Sequence, residues 1–311
     1  MKVISRTEEH DIASVFIAEN ADGKRFEFVE STQPPLDISE KWVIIVSTLF
    51  GCPVDCKFCD AGGNYDGRLS AEEIFFQIDY LVRHRFASGS PDTEKFKIQF
   101  ARMGEPSFNP SVLKVLEQFP TKYPVHNFVP SVSSIAPNGT DQFFEKLLEV
   151  KKDLYDKRFQ LQFSLHSTDV EQRDELMPVK KWGFEKMADY GKRFFSEGGK
   201  KITLNFALGK NYILDPQTLR KYFDPDLFIV KVTPVNPTFK AIQNGIDSLV
   251  VREESNYPVV DELKAIGYVV ILSIGEWEEN QIGSNCGQYI KAMDETCNVP
   301  EGSYAYRLKE L

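Results

Sequence analysis

The sequence predicts an α/β fold, a partial (β/α)6 barrel of the TIM type that follows a short β-hairpin and precedes a C-terminal tail. The main observation is an alternation of apolar, strand-like runs with helical patterns from Val43 onward. Repeated alternation of this kind produces a parallel sheet with right-handed crossovers. Six such units follow one another, which suits an open barrel better than a closed one of eight units. The length of 311 residues and the 42% of hydrophobic residues fit one domain of this size.

The first predicted element is the β-hairpin. Alternating apolar residues at 13–18 and 25–30 predict two strands, and an Asp-Gly pair between them is a strong turn signal. A linker with Pro34 and Pro35 separates this hairpin from the first barrel strand, 43–47. We therefore expect an N-terminal extension at 1–40, the barrel at 41–275 and a C-terminal segment at 276–311.

The barrel region contains clear helix starts. Ser70 and Glu73 have the spacing of a capping box ahead of an apolar helical face. Asn109 and Pro110 predict the start of the next helix. Further strands are predicted at 96–101, 127–132, 159–165, 202–208 and 227–233, and further helices at 140–152, 182–197, 215–223 and 255–266. Gly267 closes the last helix before one more β-like run.

The composition of the chain constrains which partners it can bind and in which cellular compartment it is expected. A net charge of −9 argues against broad electrostatic capture of nucleic acid, which needs phosphate-neutralising lysines and arginines. The sequence has no run of ~18 apolar residues, so we expect no membrane span. It begins without a secretory h-region, and five cysteines, three of them in one loop, fit a reducing compartment. We therefore expect a cytoplasmic protein, and we predict a monomer.

A run of three cysteines follows the first barrel strand. Cys52, Cys56 and Cys59 have a C-x3-C-x2-C spacing, and such a loop can wrap three corners of a cubane iron–sulfur cluster and leave the fourth iron open. An open metal position is where chemistry can take place, as at catalytic zinc sites. Structural zinc is the alternative, although the other cysteines, Cys286 and Cys297, lie far downstream and form no second paired unit. The spacing favours the cluster and leaves zinc open.

Polar motifs follow the other predicted strands, at the carboxyl-terminal rim where barrel enzymes carry their function. Each motif has an ordinary structural interpretation, such as a turn, a cap or a structural histidine. Five motifs on one rim nevertheless favour a common binding site. In chain order they are Cys52–Cys59, Gly104-Glu105, Ser131–Ser134, Ser164-Leu165-His166 and Asn236.

Together these motifs resemble the radical S-adenosylmethionine (SAM) superfamily, and within it the dual-specificity adenosine methyltransferases of ribosomal and transfer RNA. The motif Ile282-x3-Cys286-Gly-Gln288 behind the barrel is the most diagnostic, and the matched motifs extend over most of the chain. The resemblance implies a partial barrel, a [4Fe–4S] cluster and SAM as cofactors, and a methyltransferase of the methyl-cysteine type. It also implies an RNA partner and a reductant such as flavodoxin or ferredoxin.

The resemblance further implies roles for individual residues. Cys52, Cys56 and Cys59 would bind the cluster. Cys286 would carry a methyl group from SAM to a ring carbon of adenine, and Glu27 would accept a proton. Gly104 and Glu105 would contact the amine of SAM. Its nucleoside would be contacted by Ser131 or Ser133 and by Ser164, Leu165 and His166. Asn236 would contact its carboxylate.

The sequence departs from the family pattern in two places. Ile45 occupies the position of a second cysteine that releases the product through a disulfide with the methyl carrier, and Cys297 is the remaining candidate for that role. Few residues precede Glu27, where family members carry a longer RNA-binding extension. Two alternatives therefore stay open. One is a radical SAM enzyme of another reaction type on a smaller substrate, with Cys286 as hydrogen donor or substrate ligand, and the other is a non-catalytic cluster protein.

Overall fold

The computed structural model describes residues 1–7, 11–32, 36–251, 256–274, 279, 282–284, 286–294, 300–304 and 307–311. Cys297 and the linker residues Pro34 and Pro35 lie outside this described part of the chain. Within it, no helix has both the length and the apolar character needed to cross a bilayer.

One sheet of eleven strands organises the described residues. The strands are β1 (Lys2–Thr7), β2 (Ala13–Glu19), β3 (Arg25–Ser31), β4 (Trp42–Val46), β5 (Phe96–Phe100), β6 (Phe128–Ser134), β7 (Gln160–Ser164), β8 (Ile202–Ala207), β9 (Phe228–Thr233), β10 (Val270–Leu272) and β11 (Leu308–Glu310). Their spatial order is β10-β9-β8-β7-β6-β5-β4-β3-β2-β1-β11. Strands β4 to β10 pair in parallel, and the pairs between β11, β1, β2, β3 and β4 are antiparallel.

The sheet has the predicted architecture with additions at both edges. The six predicted barrel strands correspond to β4–β9, and β10 extends the parallel series. The predicted hairpin corresponds to β2 and β3, which pair from Ala13–Ser31 to Glu19–Arg25. Sequence analysis missed β1 and β11, two short strands that pair with each other beyond the hairpin. Within the described residues the sheet ends at β10 on one side and at β11 on the other, so it is open.

Nine α-helices are assigned within the described residues. They are α1 (Ala71–Arg85), α2 (Ser111–Lys122), α3 (Asp141–Val150), α4 (Val170–Leu176), α5 (Phe184–Phe194), α6 (Pro216–Tyr222), α7 (Phe239–Gln243), α8 (Pro258–Ala265) and α9 (Tyr289–Asp294). The predicted capping box is present, because the hydroxyl of Ser70 accepts the N–H of Glu73 at 3.1 Å and the Glu73 carboxylate accepts the N–H of Ser70 at 2.7 Å. The second helix begins slightly later than predicted, at Ser111, whose N–H donates to the side chain of Asn109.

Strand β4 separates two apolar clusters and thereby positions the site. Trp42, Ile44 and Val46 belong to the main core between the sheet and the helices. Val43 and Ile45 point the opposite way, into a second cluster on the interior face of the sheet. This alternation follows from the period of two along a strand, and a strand buried on both faces is typical of parallel sheets. Ile45 therefore faces the barrel interior.

Candidate active site

The loop after β4 is shaped by backbone constraints. The N–H groups of Thr48 and Leu49 donate to the carbonyl of Met103, at 2.8 and 3.1 Å, so the chain leaves the sheet beside the end of β5. Gly51 then has a φ of +71°, and a Cβ at this position would lie 2.7 Å from the carbonyl oxygen of Gly63. A side chain is excluded by this approach, and glycine also adopts the positive φ without strain. The cysteine loop can therefore fold back on itself.

The three thiols of this loop lie near one another. Cys52 is buried, and Cys56 and Cys59 are half-buried. Burial raises the pKa of Cys52 to about 11 and that of Cys59 to about 12. Burial also raises the pKa of Cys56, and the thiolate charges of Cys59 and Cys52 raise it further. The thiols are therefore neutral at physiological pH in the metal-free protein, and a bound metal reverses this preference because ligating thiols are deprotonated.

This donor set fits an iron–sulfur cluster. Thiolates are the usual protein ligands of such clusters, and three of them on one loop leave one iron for a small molecule. In the part of the chain that the structure describes, no three or more His, Cys, Asp or Glu side chains are placed so that they could bind one metal ion. Metal analysis of the purified protein distinguishes a cluster from zinc.

Asp60 ties the cysteine loop to the segment after β9. Its carboxylate accepts hydrogen bonds from the N–H groups of Phe239 and Lys240 at the start of α7, both at 2.9 Å. The hydroxyl of Tyr304 donates to the same carboxylate at 2.8 Å. Residues from two distant parts of the chain thus fix the position of the loop.

Cys286 lies beside the loop although it is far away in sequence. Burial raises the pKa of the Cys286 thiol, and a hydrogen bond from the amide of Asn236 to its sulfur lowers it. Besides burial, the charge of Cys286 raises the pKa of Cys59, and both residues line one cavity. The fold therefore brings Cys286, Asn236 and the last cysteine of the loop together.

A fully buried ion pair holds the C-terminal segment. Arg102, just after β5, contacts Glu27 on β3 at 2.8 Å, and both side chains are completely buried. The guanidinium also donates to the carbonyls of Gly283 and Ser284, at 2.9 and 2.8 Å. Glu27 accepts the N–H of Ile290 at 2.6 Å, and burial raises the pKa of its carboxyl group. The pair therefore holds the chain on both sides of the downstream cysteine.

A cavity of about 300 Å³ lies between the cysteine loop and the interior face of the sheet. Six of the predicted site residues line it, namely Cys59, Ser133, Ser164, His166, Asn236 and Cys286. The remaining predicted residues are not among those that line this cavity, and they are Glu27, Cys52, Cys56, Gly104, Glu105, Ser131 and Leu165. Of these, Glu27, Cys52, Glu105, Ser131 and Leu165 are buried within the protein. The cavity thus unites residues from the ends of several strands.

His166 lines the cavity as a neutral hydrogen-bond donor. Its Nδ1 accepts the N–H of Ala207 at 3.0 Å, so the ring proton is on Nε2. Burial lowers the pKa of His166 to about 3. The ring packs against the edge of Phe58 in the cysteine loop, with 4.7 Å between the centroids. His166 therefore stays uncharged at physiological pH.

Glu105 is engaged in an internal network. Its carboxylate accepts the hydroxyls of Ser134 and Ser107, at 2.6 and 2.7 Å, and the N–H of Ile135 at 3.0 Å. Burial raises the pKa of Glu105, and its charge contributes, after burial, to the raised pKa of Cys52. Glu105 therefore lies next to the cysteine loop. The contact to a SAM amine that the resemblance implies for it stays a prediction.

Sequence analysis missed several polar residues that line the cavity. They are Gln99, Gln162, Asn205, Lys231, Thr233, Ser273 and Glu279. A usable signal was present, because Lys231 and Thr233 alternate with apolar residues along β9, as Gln162 does along β7. A period of two places such residues on one face of a strand. In a barrel, polar residues on that pattern point to a polar interior.

Curated relatives support the resemblance found in the motifs. A protein named "Probable dual-specificity RNA methyltransferase RlmN" from Desulfitobacterium hafniense is 28% identical over 291 residues, which cover 90% of this chain and 76% of the relative. A protein of the same name from Heliobacterium modesticaldum is 26% identical over 281 residues, which cover 86% of this chain and 68% of the relative. The chain resembles the dual-specificity RNA methyltransferases. No protein-family model matches it.

A solved structure supports the fold class. The crystal structure of a radical SAM methyltransferase from Sphaerobacter thermophilus superimposes with a TM-score of 0.67 at 19% identity, over 92% of this chain and 80% of that chain. This likeness confirms the predicted α/β fold class. The RNA methyltransferase relatives agree with the prediction of an enzyme similar to radical SAM methyltransferases. They also agree with the prediction of a [4Fe–4S] cluster and SAM as the cofactors of that class.

Replacing Arg102 by methionine should lower the free energy of unfolding by about 3–5 kcal/mol, because the Glu27 carboxylate would stay buried without its partner. Urea denaturation followed by circular dichroism measures this change. Lys210→Met removes an exposed ion pair with Asp247 and should leave the free energy of unfolding nearly unchanged. A loss below about 1 kcal/mol for Arg102→Met would show that the buried pair does not hold the C-terminal segment.

Proposed function

We propose that this chain is a radical SAM methyltransferase that modifies an adenosine in RNA through a methyl group carried by Cys286. The observation that supports this most is that Cys286 shares a cavity with Cys59 and Asn236. In the proposed site, Cys52, Cys56 and Cys59 hold a [4Fe–4S] cluster, and SAM occupies the adjoining cavity. The relatives named as RNA methyltransferases support both the reaction type and RNA as the substrate.

In the proposed methyl transfer, the residues of the chain and the bound cofactors have separate roles. When bound, the cluster and SAM would supply the electron and the carbon radical that remove a hydrogen atom from the methyl group. Cys286 provides the sulfur that carries this group, and Asn236 lines the cavity beside it. His166, which stays neutral, donates a hydrogen bond inside the cavity. A radical route suits the substrate, because the ring carbon to be methylated is electron-poor and resists ordinary methyl transfer from SAM.

Glu27 acts as a positioning residue in this conformation. It is paired with Arg102 and accepts the N–H of Ile290, and it is not among the residues that line the cavity. To accept a proton from the substrate, as the resemblance implies, it would have to leave this pair. We therefore propose that its first contribution is to hold the Cys286 segment against the cysteine loop.

The size of the cavity constrains how RNA would be presented. A volume of about 300 Å³ lies at the lower end for small-molecule pockets, and because SAM takes part of it, the rest admits no more than a single base. The target adenosine would therefore be unpaired or flipped out of its stack. With a net charge of −9, contacts to RNA phosphates are expected to be local. We further propose a cytoplasmic monomer that takes its electron from a reductant such as flavodoxin or ferredoxin.

One observation favours a second candidate function. Ile45 lines the same cavity as Cys286, at the position where the family carries the cysteine that releases the product. An aliphatic side chain cannot form the disulfide that this release requires. A radical SAM reaction of another type on a smaller substrate, with Cys286 as hydrogen donor or substrate ligand, needs no such release.

The cluster proposal predicts that protein reconstituted anaerobically with iron and sulfide holds about four irons per chain. Cys59→Ser should lose the cluster, whereas Cys286→Ser leaves the loop ligands intact and should retain it. Iron and sulfide assays, with electron paramagnetic resonance of the reduced protein, measure this. Uptake of zinc in place of iron, without a cluster signal, would contradict the proposal and favour a structural zinc site.

The methyl-carrier proposal predicts a labelled methyl group on Cys286 after expression with methyl-labelled methionine. Peptide mass spectrometry locates the label, and Cys286→Ser should show none. If Cys286 stays unmodified in protein that still cleaves SAM to 5′-deoxyadenosine, the carrier role is rejected and the second candidate is supported.

Replacing Ile45 by cysteine should restore product release. A thiolate at this position would attack the Cys286 sulfur, so that a disulfide forms, the sulfur–carbon bond to the product breaks and the product carbon takes up a proton. The wild type should accumulate a covalent RNA–protein adduct, and Ile45→Cys should convert it to free methylated RNA. Denaturing gels and nucleoside mass spectrometry measure both species, with Ile45→Val as the matched control. A wild type that releases product as fast as Ile45→Cys would show that another group resolves the adduct, with Cys297 the first candidate.

A further inference from the structure

Tyr304 lies between the cysteine loop and the segment that carries Cys286. Its ring packs on the turn around this cysteine, because a Cβ on Gly283 would lie 2.7 Å from the ring and a Cβ on Gly287 would lie 2.9 Å from it. The ring also stacks on Phe239 at the start of α7, with 4.8 Å between the centroids and 7° between the planes. Tyr304 is 2% exposed, so it is enclosed between segments that are far apart in sequence.

The hydroxyl of Tyr304 joins the two segments directly. It donates to the carboxylate of Asp60 at 2.8 Å and accepts the N–H of Gln288 at 2.9 Å. The carbonyl of Gln288 lies 3.2 Å from the same oxygen, but the carboxylate is nearer and charged, so it takes the hydroxyl proton. Asp60 directly follows the last cysteine of the loop, and Gln288 is the second residue after Cys286. One oxygen atom therefore spans the cysteine loop and the proposed methyl carrier.

Asp60 is the point at which this link reaches the cysteine loop. Its buried carboxylate also accepts the backbone N–H groups of Phe239 and Lys240, both at 2.9 Å. Within the described residues, the Tyr304 hydroxyl is the one side-chain donor to this carboxylate. The same hydroxyl is the acceptor for the N–H of Gln288, a buried residue. Buried polar groups that lose their partners are costly, so the hydroxyl holds both ends of the link in place.

We propose that Tyr304 is a positioning residue that holds Cys286 against the cysteine loop. Through this contact it couples the cleavage of SAM to the removal of hydrogen from the methyl group on Cys286, a step that rests on the proposed function. In that step one C–H bond of the methyl group breaks and a new C–H bond forms at the 5′ carbon released from SAM. The product is 5′-deoxyadenosine, the carrier keeps the unpaired electron, and the electron that cleaves SAM comes from the reductant. Because the two carbons must be in near contact, a displaced carrier leaves SAM cleavage uncoupled.

Tyr304→Phe tests the link, since it removes the hydroxyl and keeps the ring. Hydrogen exchange with mass spectrometry follows the peptides that cover residues 286–290 and 239–243 in the full-length protein. Both peptides should exchange about fivefold faster or more, because the groups that the hydroxyl joins open more often. Tyr190→Phe is the matched control, because it removes a buried tyrosine hydroxyl on α5 that donates to the carbonyl of Phe144 at 2.7 Å. It should leave the exchange of both peptides within about twofold of the wild type.

Isotope transfer measures the coupling. Protein expressed with methyl-deuterated methionine carries deuterium in the methyl group on Cys286, and its reaction with unlabelled SAM and dithionite releases 5′-deoxyadenosine. Most of this product should contain deuterium in the wild type and in Tyr190→Phe. In Tyr304→Phe the deuterated fraction should fall about fivefold or more, whereas the iron content and the KM for SAM stay within about twofold of the wild type.

Asp60→Asn weakens the same link from its other end, because one carboxylate oxygen is replaced by an amide nitrogen that cannot accept a hydrogen bond. It should lower the deuterated fraction in the same direction. The double variant with Tyr304→Phe should lower this fraction no more than about twofold beyond the larger single effect, since both changes act on one interaction. Effects that multiply would show that the two side chains act separately and would contradict the link.

A deuterated fraction in Tyr304→Phe within about twofold of the wild type would overturn the positioning role, even with faster exchange, because the link would then serve stability alone. Unchanged exchange of both peptides, or a loss of iron in Tyr304→Phe, would also overturn it. Failure of the proposed function looks different: the wild type itself would hold no iron or would release no deuterated 5′-deoxyadenosine. Hydrogen exchange still tests the contact between Tyr304 and Asp60 in that case.

Discussion

The buried pair between Arg102 and Glu27 is the interaction on which the candidate site depends. It joins the hairpin strand β3, the end of the barrel strand β5 and the segment that carries Cys286. Two charges taken out of water are costly to bury, and such a pair is tolerated only when further hydrogen bonds satisfy both groups. The carbonyl of Gly283 and the N–H of Ile290 are among the groups that do so here. Because any displacement of the segment would break these bonds, the pair specifies where the downstream cysteine lies.

A continuous polar path connects this pair to the cysteine loop. The amide of Gln288 donates to the carbonyl of Arg102 at 3.2 Å, and its backbone N–H donates to the hydroxyl of Tyr304 at 2.9 Å. Tyr304 in turn donates to Asp60, next to the last cysteine of the loop. Gly287 has no room for a side chain, since a Cβ would lie 2.9 Å from the Tyr304 ring. The Cys-Gly-Gln motif can therefore be understood physically: the cysteine faces the cavity, the glycine permits the packing, and Gln288 links the two anchors.

The sequence was sufficient for those parts of the structure that depend on local patterns. Short stretches of sequence are enough to recognise the strand–helix alternation, the capping box of Ser70 and the cysteine spacing. The partners of Glu27 and Glu105 were not predictable in the same way. Both carboxylates are satisfied by groups from distant elements, and only the folded register shows that Arg102 reaches Glu27. Lys231 was missed although it alternates with apolar residues along β9, because only the folded register places it beside Asn205 in the cavity.

The polar interior of the barrel is adapted to a ligand rather than to the stability of the empty protein. A buried polar group without a partner costs about 1–3 kcal/mol, so the buried Oδ1 of Asn205 destabilises the fold unless something binds it. A molecule that binds the native state alone stabilises it in proportion to the logarithm of its concentration relative to its dissociation constant. The same group that weakens the empty barrel therefore makes its stability depend on occupancy. This coupling explains why a polar residue stands at a position on β8 where an apolar side chain would pack without cost.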